Sequence, residues 1–99
     1  MIKIYDKARW HIDAGMDTNY VVNKMKILFD FLNANNLLEY EGKEMFEIGI
    51  DSSISIHERM LTVQGNKFMD EKYDGVINSN LDEFAKRLEK AFVDFQWRI

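Results

Sequence analysis

His11 and His57 are the side chains best suited to acid–base or metal chemistry near neutral pH, and each has a carboxylate close by in sequence, Asp13 and Glu58. The spacing carries neither chemistry far. The His-Glu-x-x-His pattern that sets two imidazoles on one helical face is missing, cysteine is absent, and nothing like Asp-x-Asp-x-Asp-Gly occurs. No metal and no cofactor is therefore expected. The run Asp51, Ser52, Ser53, Ser55, His57, Glu58 holds every ingredient of a hydrolytic triad. A triad needs nucleophile, base and orienting acid to converge on one point, whereas neighbours on a single segment fan out around it. A Gly-x-Ser-x-Gly elbow is also lacking. Asp51 and the serines read more simply as a turn and a helix cap. The five glycines are too scattered for a phosphate-cradling loop. No catalytic residue is assigned.

Two kinds of site remain. In one, Trp10, His11, Asp51, His57, Arg59 and Trp97 contact a protein partner, since aromatic and arginine side chains dominate binding hot spots. In the other, His11, Asp51, His57 and Arg59 meet in one pocket of a small enzyme or ligand-binding domain. The tryptophans have a competing use. A 99-residue chain needs its largest side chains inside, so the core is the first expectation for both.

The elements that would position these residues are mostly helical. Asn80 and Glu83 have capping-box spacing, after which Leu81, Phe84, Ala85, Leu88, Ala91, Phe92 and Phe95 mark one helical face. A second helix follows Asp17 or Thr18, with a broad apolar stripe from Val21 to Leu32, and fails at Asn33-Ala34-Asn35-Asn36. A shorter helix is expected from Asp6 to Ala14, stopped by Gly15. The middle holds an echo. Leu38 and Leu61, 23 residues apart, each open a Leu-x-x-x-Gly-x-x segment followed by two bulky apolar residues, and each segment reads as a helix beginning. Thr62 is the N-cap of the second copy and places Gly65 in its first turn. Two copies are too few for a solenoid. Between them, a short helix after Ser53 is favoured. The common parity of Ile48, Ile50, Ile54 and Ile56 makes a strand the alternative. The expected fold is all-α, a single helical domain over residues 1–99 with about five helices, or α+β with a short strand near residues 46–56.

Composition narrows the partners. Hydrophobic residues at 46% and charged residues at 30% describe a globular chain, not a disordered one. The net charge of −4 disfavours nucleic acid, and the basic residues are interleaved with acids without forming a face. Leu37 to Glu44 has the flavour of the segment that enters a helix in winged-helix proteins, but the charges do not support that use. Without cysteine, a signal-peptide stretch or a bilayer-length apolar run, a cytoplasmic protein off the membrane is expected, as monomer or homodimer.

Three stretches carry a resemblance: Tyr5-Asp6-Lys7-Ala8-Arg9-Trp10-His11-Ile12-Asp13; Phe31-Leu32, Leu37-Leu38 and Glu41-Gly42; and Gly49-Ile50-Asp51-Ser52-Ser53 leading to Arg59-Met60-Leu61-Thr62. Together they make the chain resemble a family of small uncharacterised bacterial proteins, some of them found in toxin–immunity neighbourhoods. The resemblance implies a bacterial binding protein and assigns no role to any residue. The leading functional expectation is a protein-interaction module of the immunity or inhibitor type, with an acidic surface suited to a basic partner. A homodimeric structural or regulatory protein is a further alternative.

Overall fold

Apolar residues at three- and four-residue steps wind the last and longest elements. The computed structural model describes residues 2–97. In chain order these form β1 (Ile4–Lys7), α1 (Ala8–Asp13), α2 (Thr18–Ala34), α3 (Tyr40–Ile48), β2 (Ser55–His57), a single 3-10 turn (Glu58–Met60), α4 (Val63–Val76) and α5 (Leu81–Trp97). The architecture is a five-helix assembly with a two-stranded antiparallel ribbon, so the helical expectation and its short-strand alternative each hold in part.

In α5, Phe84, Leu88, Ala91, Phe92 and Phe95 are buried against α2 and α4. The capping box does not close as the spacing suggested. The Glu83 carboxylate pairs with Arg87 one turn on, at 3.0 Å. The Asp17 carboxylate caps α2 by accepting the Tyr20 amide, and α2 ends at Ala34, where Asn36 takes a left-handed φ of 58° that asparagine tolerates. The stripe on α2 is broad because α5 packs on one part of it and α1 and α3 on others. Where α2, α4 and α5 meet, Phe68 lies 5.3 Å from Phe31, 5.6 Å from Phe92 and 5.7 Å from Phe95 between ring centroids, tilted or edge-on as aromatic quadrupoles prefer.

Two expectations need correction. The helix expected from Asp6 begins at Ala8, because Asp6 and Lys7 pair with Ile56 and Ser55 across the ribbon. The helix expected after Ser53 is absent. Asp51 instead accepts the Ser53 amide at 2.8 Å and its hydroxyl at 2.5 Å, a local turn that delivers the chain into β2. The isoleucine parity is only half used. Ile54 and Ile56 are buried, but Ile48 belongs to α3 and is 72% exposed.

The echo proves to be a local two-fold arrangement. Leu38 bridges Leu61 antiparallel, the Glu39 amide donates to the Met60 carbonyl at 2.8 Å, and the Thr62 amide donates to the Leu37 carbonyl at 2.9 Å. Each copy then enters its helix, α3 or α4, by laying its glycine on the other copy's backbone. A Cβ on Gly42 would overlap the Met60 carbonyl oxygen, and one on Gly65 would lie 2.6 Å from the Leu37 carbonyl oxygen. The shared glycine is thus a consequence of backbone contact.

Candidate functional site

The ribbon turns Asp6 inward, where the residue is only 3% exposed. A buried carboxylate must be met by donors. Oδ1 accepts the Lys7 amide at 2.8 Å and His11 Nε2 at 2.7 Å, and Oδ2 accepts the Tyr73 hydroxyl at 2.5 Å. A carboxylate oxygen accepts, so His11 presents its Nε2 proton to Asp6. The cluster joins β1, α1 and α4, and brings together residues 67 apart in sequence.

Burial, helped by the Asp6 charge, pushes the Tyr73 phenol far above its ordinary value of 10.0. Tyr5, which donates to Asn66 Oδ1 at 2.7 Å, is pushed up to about 12, chiefly by burial and then by the charges of Asp70 and Glu58. A phenol held neutral in the fold stabilises it below pH 10, and that contribution is lost as pH rises past 10. In an alkaline absorbance titration Tyr5 is expected to ionise near 12, and Tyr73 only when the chain unfolds. Removing each signal in turn with Tyr5→Phe and Tyr73→Phe makes the assignment. Reversible ionisation of Tyr73 near pH 10 in the folded protein would contradict the burial of the cluster.

Beside the cluster lies a pocket of about 120 Å³, walled by α2 and closed by the turn between α4 and α5. Lys24, from α2, donates its ammonium to the Ile77 carbonyl and sits 5.0 Å from the Phe84 ring centroid. Burial lowers its pKa, and the Asp6 charge counteracts this in part. Ser79 is 7% exposed, and its hydroxyl has no hydrogen-bond partner among the described residues. Buried hydroxyls are normally satisfied, so this one is an exception in the turn between α4 and α5.

Of the residues singled out from sequence, His11 alone lines this pocket. His57 accepts the Arg59 amide on Nδ1 at 3.3 Å, which makes it the cap of the 3-10 turn, and its Nε2 lies 3.1 Å from a Glu41 carboxylate oxygen. Asp51 is exposed in its turn, where the Ser53 hydroxyl and amide hold its carboxyl below the usual range. The geometry thus brings His57 and Arg59 together and leaves His11 and Asp51 with other partners. Both tryptophans depart from the core expectation: Trp10 is 51% exposed, with the Lys7 ammonium 5.8 Å from its ring, and Trp97 is 84% exposed. Among the described residues no group of three His, Asp or Glu side chains is placed to hold a metal ion. No helix among them is long and apolar enough to cross a membrane.

Asp6, Lys24, Tyr73 and Ser79 were not singled out from sequence. Asp6 read as a helix start. Tyr73 is fixed by a pairing far along the chain, with no local signal. Ser79 sits in a visible Asn-Ser-Asn turn whose burial the composition hides. No protein-family model, curated protein or solved structure matches the chain.

Proposed function

We propose that the chain is a protein-interaction module that binds and occludes a protein partner, as immunity and inhibitor proteins do. The observation that carries the reading is the placement of the two tryptophans. The core is closed by phenylalanine, leucine, isoleucine and methionine, while Trp10 and Trp97 stand outside it. Exposed tryptophan contributes little to folding and is enriched where partners anchor. Val93, one turn before Trp97 on α5, is half exposed and extends the apolar surface there. The net charge of −4 favours encounter with a basic partner.

The test is recovery of a stoichiometric partner from cells expressing the tagged chain. Trp10→Ala and Trp97→Ala are each expected to weaken binding by about thirtyfold or more, the scale of a hot-spot residue. Folding stability should stay within about 0.5 kcal/mol of the parent, as for surface changes. Equal recovery by the variants contradicts the proposal. So does a loss of stability large enough to explain poor recovery by itself.

A further inference from the structure

We infer that the outer face of α3, with the first residue of α4 beside it, docks a basic amphipathic helix of a protein partner. Trp97 apart, the three most exposed large apolar side chains among the described residues are Tyr40 at 79%, Val63 at 74% and Ile48 at 72%. All three belong to one part of the fold. Tyr40 and Ile48 are the first and last residues of α3, and Val63 opens α4, which begins beside it at the Leu38–Leu61 bridge. Tyr40 and Val63 hold the same position in the two copies of the echo, two residues past the bridging leucine. The fold covers α3 thinly. Of its nine residues only Gly42 is buried, while Met45 and Phe46 pack in part against the core.

Charge selects the occupant. Glu39, Glu41, Glu44 and Glu47 against the single Lys43 place three of the chain's four net negative charges on residues 39–48. Of these carboxylates only Glu41 has an ion-pair partner among the described residues, His57. Glu44 lies one turn from both Tyr40 and Ile48, and Glu47 two turns from Tyr40, so carboxylates and apolar groups share one stripe. A neutral or acidic segment would leave the carboxylates uncompensated as water is excluded, whereas lysine or arginine set among aliphatic residues meets both parts of the stripe. A helix is the form that lays such groups along a convex helical surface, here roughly 12 Å from Tyr40 to Ile48. Neither α3 nor the start of α4 carries a tryptophan, so this surface is separate from the one proposed above.

Titration of isotope-labelled protein with a designed peptide of lysine and leucine at helical spacing, followed by nuclear magnetic resonance, tests the assignment. Saturable shifts are expected at the amides of α3 and at Val63. A peptide of the same composition in scrambled order should bind more weakly, and so should a glutamate–leucine counterpart. Tyr40→Ala with Ile48→Ala should weaken the lysine–leucine peptide by about tenfold, following the apolar area lost. Glu44→Gln with Glu47→Gln should weaken it by about fivefold at low salt, a loss that fades as salt screens the charges. Both double variants should melt with the parent, because the altered side chains are exposed, so they read binding apart from folding. The inference is overturned by shifts that are absent or spread evenly over the chain, by the scrambled or acidic peptide binding as tightly, or by unchanged affinity in either double variant.

Discussion

Asp6→Ala is expected to destabilise the fold by about 3 kcal/mol, lowering the melting temperature by roughly 12–24 °C in a domain of this size. The loss comes from three donors that share one acceptor. Without the carboxylate, the Lys7 amide, His11 and the Tyr73 hydroxyl lose their partner, and Tyr73 is too deeply buried to find water instead. Recovered desolvation of the carboxylate offsets part of that penalty, which holds the expected figure near the lower end for broken buried pairs. Tyr73→Phe removes a single bond to that carboxylate and should cost less, about 1.5–2 kcal/mol. Calorimetric or circular-dichroism melts of both variants make the comparison. Equal, small losses would mean that the cluster does not tie β1 to α4.

The second large effect concerns the glycines of the two-fold bridge. Alanine inside a helix is ordinarily favoured over glycine by up to about 1 kcal/mol. Gly75 shows that ordinary case, since nothing lies within 4 Å of a Cβ built there, and Gly75→Ala should stabilise slightly. Gly42→Ala and Gly65→Ala should reverse the sign and each cost about 2–3 kcal/mol, because the added carbon meets a backbone carbonyl that cannot rotate away. Gly42 should be the worse, its clash with Met60 being the closer. Both substitutions push open the same Leu38–Leu61 bridge, so the double variant should lose less than the sum of the singles. Urea titrations of the four proteins test this, and full additivity would argue against a shared backbone contact.

Much of this frame was legible in the residues. The long helices announced themselves by period, and Thr62 caps α4 by accepting the Gly65 amide at 2.9 Å, as its spacing suggested. The Leu-x-x-x-Gly echo pointed at the right residues without revealing that the copies touch. What stayed hidden were pairings across distance. Four residues of β1 have too little alternation to declare a strand, and only Ile56, some fifty positions away, makes Asp6 an inward residue. The tryptophans were misplaced for a different reason. The argument from size treats all large side chains alike, but phenylalanine already fills the core here. Trp97 was in fact readable, because two residues beyond Phe95 is about 200° around the helix, on the far side from the core. Trp10 was not, since a six-residue α1 is too short for period to decide its buried face.

Photo-crosslinking in cells tests the central functional claim most directly, with a photoreactive amino acid placed in turn at Trp10, at Trp97 and at the exposed Glu44 on α3. The account predicts one adduct of fixed mass from the two tryptophan positions and little of it from Glu44. Equal labelling at all three positions, or an adduct of only a second copy of the chain, would contradict it.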